Sequence, residues 1–156
     1  MAAEIGHTPF YAYDSALIAE RVGELRAALP AAIRLHYAIK ANPLPALLRH
    51  MAGLVDGLDV ASAGELAVAL EQGAPASQIS FAGPGKRDAE LAAAVAAGVL
   101  INVESAGEIA RLDAIAQTQG KAARVAVRIN PDFELKSAGM RMGGGPKPFG
   151  IDAEQV

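Results

Sequence analysis

Short apolar runs alternate along the chain with longer segments in which apolar residues recur at helical spacing. The short runs predict strands at residues 9–13, 34–39, 57–61, 79–82, 100–103 and 124–129. The segments between them predict helices at residues 14–29, 45–55, 65–72, 88–97 and 108–119. Regular alternation of this kind predicts an α/β fold in which parallel strands are joined by helical crossovers.

A short internal repeat refines this prediction. Residues 60–67, VASAGELA, return as residues 103–110, VESAGEIA, and each copy lies where a strand turns into a helix. Ser62 with Glu65, and Ser105 with Glu108, have the spacing of a capping box, so helix capping is their predicted role. The copies lie two strand–helix units apart, as expected of a (β/α) barrel in which alternate strands supply equivalent positions.

The end of the chain predicts an incomplete barrel. Residues 151–156 read as the opening of a further helix, and about five barrel strands precede them. Five strands of this type do not close, and they leave an open edge. We therefore expect residues 1–156 to be a fragment, one part of a (β/α)8 TIM-barrel domain.

Composition and charge narrow the function. The 156 residues are 52% hydrophobic and 20% charged, as in ordinary globular proteins. A net charge of −3 provides no basic excess for nucleic acid, and without cysteine there is no disulfide or thiolate chemistry. The sequence has no apolar stretch long enough to span a membrane and no secretory signal. We expect a cytoplasmic protein.

Lys40 is the first candidate for chemistry, because it follows a predicted strand at its carboxyl end. Barrel enzymes assemble their active sites at that end. A lysine at an apolar rim loses hydration, which lowers its pKa and makes its amine nucleophilic towards an aldehyde. From position alone, a surface lysine that ends a strand is the simpler interpretation.

Two glycine-rich segments invite over-interpretation. Residues 83–87, GPGKR, lack the spacing of a P-loop and the Ser or Thr after its lysine, so a tight turn into the next helix is predicted. Residues 143–147, GGGPK, contain glycines that could cradle an anion, but a flexible loop is the simpler prediction.

Several motifs occur in the order found in one enzyme family. Residues 36–43, HYAIKANP, and 57–66, GLDVASAGEL, resemble the fold-type III pyridoxal-phosphate (PLP) decarboxylases. These include diaminopimelate, ornithine and arginine decarboxylases, with alanine racemase as a more distant relative. The resemblance continues through FAGPGK (81–86), NVES (102–105), VRINP (127–131) and KPFGI (147–151), so it covers nearly the whole chain. It implies a barrel of the alanine racemase type.

The resemblance also implies roles for particular residues. Lys40 would form the internal aldimine with PLP, and the pyridine ring would accept the electrons released on loss of carbon dioxide. Asp59 matches an acid near this lysine, and Arg128 matches an arginine on the cofactor side, with the phenolate oxygen as its anionic partner. Ala38 would also contact the cofactor. His36 receives no catalytic role.

The resemblance leaves the substrate open. Residues 132–147 depart from ordinary diaminopimelate decarboxylases, which carry a His and a Ser/Thr-Gly there. They look closer to the decarboxylases associated with exosortase A systems and exopolysaccharide loci. The full-length enzyme is expected to be a homodimer that acts on a small-molecule amino-acid substrate, diaminopimelate- or ornithine-like or related, and the fragment alone is expected to be inactive.

Three alternatives remain to be weighed. Racemases of this fold usually follow the lysine with Ala-Asn/Asp-x-Tyr-Gly-His-Gly, whereas residues 41–47 here read ANPLPAL. The non-catalytic PLP homeostasis proteins lack a second β-domain, to which the predicted strand 9–13 would belong. A cofactor-free Schiff-base lyase would not explain the motifs beyond Lys40.

Overall fold

The structure is a computed structural model that describes residues 2–131 and 149–155. The chain divides into two compact units, residues 1–33 and residues 34–156. The first unit contains helices α1 (Ala2–Ile5) and α2 (Ser15–Ala28). The Asp14 carboxylate accepts the backbone N–H groups of Ala16 (2.8 Å) and Leu17 (3.3 Å). This confirms the predicted helix, whose N-terminus is capped by Asp14.

Residues 9–13 do not form the predicted strand in this structure. A strand requires a hydrogen-bonding neighbour, and no strand in the described part of the chain pairs with this segment. Its assignment to a second β-domain stays a prediction.

The second unit is built around five parallel strands in sequential order, β1-β2-β3-β4-β5, with a helix between successive strands. The strands are β1 (His36–Ala38), β2 (Gly57–Val60), β3 (Ile79–Phe81), β4 (Leu100–Val103) and β5 (Arg124–Val127). The helices are α3 (Pro45–Ala52), α4 (Ala63–Glu71), α5 (Asp88–Ala97) and α6 (Ala106–Gln119). The predicted α/β alternation is confirmed, with shifts of a few residues at some ends.

The two faces of this sheet differ in character because successive side chains of a strand point to opposite sides. One face packs into the hydrophobic core against helices, and its strand residues are at most 2% exposed: Leu58, Val60, Ile79, Phe81, Ile101 and Val103. The other face carries mostly smaller or polar side chains, among them Ala38, Asp59, Ser80, Asn102 and Ala126, and Leu100 also lies on it. In a barrel arrangement this second face points towards the barrel axis.

The strand predicted at residues 124–129 is divided at Arg128. Its N–H donates to the carbonyl of Val103 (2.9 Å), whereas its own carbonyl accepts the N–H of Ile151 (2.8 Å). Beyond it, β6 (Ile129–Asn130) pairs in parallel with β7 (Ile151–Asp152). The predicted helix start at residue 151 is therefore wrong: pairing with β6 makes this segment a strand, and a 3-10 turn follows it at Ala153–Gln155.

Both predicted capping boxes are present. Ser62 accepts the N–H of Glu65 (3.2 Å), and Ser105 accepts the N–H of Glu108 (3.1 Å). Each glutamate in return accepts, at 2.8 Å, the N–H of the residue before its serine. Two free N–H groups at each helix start are thus satisfied, and α4 and α6 begin directly after the serines.

Some predictions fall outside this description. The predicted loop 132–147, including the glycine run at 143–145, lies outside the residues that the structure describes. Across residues 2–131 and 149–155, no helix has the length and apolar character needed to cross a membrane.

Glu90 on α5 joins the starts of two helices. Its carboxylate accepts the N–H of Arg87 (3.0 Å) and the N–H of Ala63 (3.1 Å), the first residue of α4. The guanidinium Nε of Arg87 lies 3.3 Å away. The Arg87 and Ala63 N–H bonds hold the pKa of Glu90 below its ordinary value of 4.5, against the opposing effect of burial.

We expect Glu90→Gln to lower stability at neutral pH and to lose this effect in acid. Because the folded-state pKa is depressed, the ionised carboxylate stabilises the fold above the unfolded-state pKa, and that contribution is lost as the pH falls through the folded value. Urea unfolding of both proteins should show a gap at pH 7 that closes below about pH 4.5. The exposed Glu71→Gln serves as control. A gap for Glu90→Gln that persists unchanged in acid contradicts this account.

Candidate functional site at the carboxyl edge of the sheet

Lys40 lies on a short turn at the carboxyl end of β1. The turn is a 3-10 helix, Ile39–Ala41, in which Ile39 is fully buried in the core. The hydroxyl of Tyr37 donates to the carbonyl of Asn42 (3.2 Å), which helps to fix the turn. Lys40 itself is exposed, and it has no hydrogen-bond or ion-pair partner among the described residues. Its amine is therefore available to a ligand at this edge.

Asp59 lies beside Lys40's strand, in register with Ala38. Its Oδ1 lies 2.9 Å from Nδ1 of His36 and accepts the hydroxyl of Ser80 at 2.5 Å. A carboxylate only accepts hydrogen bonds, so the contact places the hydrogen on Nδ1 of His36. Asp59 thus joins three adjacent strands, and its described contacts are with His36 and Ser80 rather than with Lys40.

Gly57 makes the position of His36 possible. A Cβ atom at residue 57 would lie 2.6 Å from Cε1 of His36 and 2.5 Å from the carbonyl oxygen of Gln78. Both distances are shorter than any ordinary contact, so only glycine leaves room for the imidazole at this place. Sequence reasoning gave His36 no role and did not identify it as the partner of Asp59.

Arg128 lies at the far edge of the sheet, just beyond β5. Its Nη1 donates to Oε2 of Glu104 (3.1 Å), and its guanidinium carbon lies 5.0 Å from the ring centre of Phe149. Sequence reasoning predicted an anionic partner for this arginine, and within the chain that partner is Glu104. A guanidinium has five N–H donors, and Arg128 uses one of them within the described part of the chain.

Lys86 is a buried cation that sequence reasoning missed. Its side chain is 1% exposed, and its ammonium donates to the carbonyls of Gly83 (2.7 Å) and Asn102 (2.7 Å) and to Oε1 of Glu108 (2.9 Å). All three ammonium donors are therefore satisfied. The predicted turn into α5 is confirmed, but it is also fastened to β4 and α6 through this side chain.

The predicted site residues all lie at the carboxyl edge of the sheet, but they do not all contact one another. Lys40 follows β1 and Arg128 follows β5, and these strands are the two outer strands of the five-stranded sheet. Ala38 and Asp59 form a registered pair near Lys40. The structure thus brings Ala38, Asp59 and Lys40 to one side of the carboxyl edge and places Arg128 at the other.

Comparison with known proteins identifies the family to which this chain belongs. Residues 15–156 match the family described as "pyridoxal-dependent decarboxylase, pyridoxal binding domain". The chain belongs to this family, whose cofactor is PLP.

Particular relatives agree with this assignment. The chain is 42% identical over 153 residues to the L-glutamyl-[BtrI acyl-carrier protein] decarboxylase of Niallia circulans, covering 96% of this chain and 35% of that protein. It is 41% identical over 151 residues to the diaminopimelate decarboxylase of Aquifex aeolicus, covering 96% and 36%. Diaminopimelate decarboxylase from Helicobacter pylori, complexed with L-lysine, superimposes with a TM-score of 0.86 at 34% identity, covering 96% and 39%. The chain spans about a third of the length of the curated relatives it matches.

The groups at this edge fit one part of PLP. The cofactor carries an aldehyde, to which an unpaired amine can add, and a phenolate oxygen, which a guanidinium can bind. Lys40 offers an exposed amine without a described partner, and Arg128 offers N–H donors beyond its bond to Glu104. Ala38 lies in register with Asp59, on the strand that Lys40 follows.

We expect Gly57→Ala to destabilise the protein by about 1–3 kcal/mol, as overpacked sites do, because the new methyl group meets both His36 and the Gln78 backbone. Gly107→Ala is the matched control: it lies in α6 with open space around its Cβ position, so a gain of about 0.5–1 kcal/mol is expected. Denaturant unfolding measures both. A Gly57→Ala protein as stable as wild type shows that the imidazole is not confined as described.

Proposed function

We propose that this chain forms the lysine-bearing part of the active site of a PLP-dependent amino-acid decarboxylase, with Lys40 as the residue that attaches the cofactor. The observation that carries the proposal is the placement of Lys40. It is an exposed amine without a described partner, held on a short turn at the carboxyl end of β1, in a chain that belongs to a PLP-binding family.

When bound, PLP supplies a pyridine ring that accepts the electron pair released as the substrate carboxylate leaves as carbon dioxide. The protein supplies orientation and charge. Asp59, fixed by His36 and Ser80, would hold a carboxylate on the strand next to the one that Lys40 follows. Arg128 would donate to the phenolate oxygen, and Ala38 would lie near the ring.

Decarboxylation is favoured over the other reactions of this fold by the names of the relatives. They are named for different substrates: L-glutamyl-[BtrI acyl-carrier protein], diaminopimelate and, at 37% identity, 2-[(L-alanin-3-ylcarbamoyl)methyl]-2-hydroxybutanedioate. All three names are those of decarboxylases. We therefore propose an amino acid, or a compound that carries an amino-acid unit, as the substrate class.

Finer assignments rest on the sequence. Residues 132–147 lack the His and Ser/Thr-Gly usual in diaminopimelate decarboxylases, which supports a role close to the exosortase A-associated, exopolysaccharide-linked decarboxylases. A cytoplasmic homodimer is proposed for the full-length protein by analogy with the family.

Borohydride reduction tests the proposal directly. We expect the full-length protein, incubated with PLP and reduced, to carry a phosphopyridoxyl group on the peptide that contains Lys40, as read by mass spectrometry. Lys40→Arg should abolish this label, because a guanidinium keeps the positive charge but does not form a stable adduct with the aldehyde.

Lys121→Ala is the control for nonspecific labelling. Lys121 is an exposed lysine whose ammonium bonds the carbonyl of Ala96 (2.6 Å), and it lies outside the proposed site. Its variant should keep the Lys40 label. A folded, PLP-treated protein with no label at Lys40 would contradict the proposed function.

A further inference from the structure

Comparison of the two copies of the internal repeat shows which residues helix capping requires. Ala61 in the first copy corresponds to Glu104 in the second, and both copies cap a helix in the same way. Capping therefore does not need a carboxylate at this position. The Glu104 side chain is nevertheless 1% exposed, and a buried carboxylate is costly unless its oxygens are bound. The carboxylate of Glu104 therefore has a role other than capping α6.

The two oxygens of Glu104 have separate partners. Oε1 accepts the N–H of Gly83 at 2.7 Å, and Oε2 accepts Nη1 of Arg128 at 3.1 Å. The backbone N–H of Glu104 donates to Glu108 (2.8 Å), whose other oxygen binds the buried Lys86. Glu104 is thus fixed from the β3–α5 turn and from α6, and it presents one oxygen to Arg128.

Arg128 depends on this oxygen for its direction. Its side chain is 31% exposed, whereas that of Glu104 is 1% exposed, so the glutamate is the fixed partner and the arginine the one held. The ring of Phe149 lies 5.0 Å from the guanidinium and adds a cation–π contact. The remaining N–H groups of Arg128 can then point to one place at the carboxyl edge.

We propose that Glu104 is a positioning residue for the cofactor site: it holds Arg128 in the direction from which the guanidinium binds the phenolate oxygen of PLP. This inference rests on the proposed function, since it takes Arg128 to face the cofactor. Glu104 itself does not touch PLP; its effect passes through the arginine.

Glu104→Gln tests the inference with little change in shape. If the amide oxygen keeps the N–H of Gly83, the NH2 group faces Arg128, donor against donor. We expect the full-length variant to bind PLP about tenfold more weakly, the size of effect typical of losing one hydrogen bond to a charged group. Titration of cofactor absorbance or fluorescence measures the dissociation constant, and circular dichroism confirms that the variant is folded.

A double-mutant cycle separates positioning from a general loss of structure. Arg128→Ala should weaken PLP binding, and adding Glu104→Gln to it should cause no further loss, because the residue through which Glu104 acts is already gone. Glu65→Gln is the matched control: its carboxylate accepts the N–H of Ala61 at 2.8 Å, much as Glu104 accepts that of Gly83, but it has no arginine partner among the described residues. It should leave PLP affinity within about twofold of wild type, because it does not act through Arg128.

The outcomes distinguish this inference from the proposed function. Equal PLP affinity of Glu104→Gln and wild type, or additive losses in the double variant, overturns the role of Glu104 while labelling of Lys40 still stands. If Glu104→Gln does not fold, Glu104→Asp keeps the charge but withdraws the carboxylate from Arg128, and unchanged PLP affinity in that variant also overturns the inference. Absence of any Lys40 label in wild type removes the proposed function itself.

Discussion

The buried ammonium of Lys86 is the constraint on which the carboxyl edge of the sheet depends. A charge this deep in the protein is tolerated only when its hydrogen bonds are complete, and Lys86 binds one carboxylate and two backbone carbonyls. These acceptors come from the β3–α5 turn, from β4 and from α6. Losing any one of these acceptors leaves a buried N–H of the ammonium unsatisfied, so the ends of these elements are held together as one unit.

Because these elements are held together, the carboxyl edge of the sheet can carry polar side chains although one face of the sheet is packed in the hydrophobic core. Glu108 binds Lys86 with one carboxylate oxygen and accepts the N–H of Glu104 with the other. The side chain of Glu104 in turn accepts a hydrogen bond from Arg128. At the other side of the same carboxyl edge, Asp59 connects His36 and Ser80 beside the turn that bears Lys40. Two hydrogen-bonded groups therefore flank the face on which a cofactor of this family would lie, and each is built from residues on neighbouring strands.

Local sequence patterns were sufficient for the alternating elements, the capping boxes and the position of Lys40, whereas Asp59 was identified only through the family resemblance. Capping needs only residues three apart, and a strand followed by a lysine is visible in a short window. The Lys86–Glu108 pair and the Glu104–Arg128 pair join residues more than twenty positions apart, so no local pattern contains them. The same limit explains the error at residues 151–152 and why residues 9–13 form no strand in the described structure, since strand formation depends on a partner that is distant in sequence.

The most direct test of this account is a crystal structure of the full-length protein with PLP. We predict continuous electron density from Nζ of Lys40 to the cofactor, with the ring near Ala38 and Asp59 and its phenolate oxygen within hydrogen-bond distance of Arg128. Density that joins the cofactor to another lysine, or a ring bound away from the carboxyl edge of β1, would contradict it.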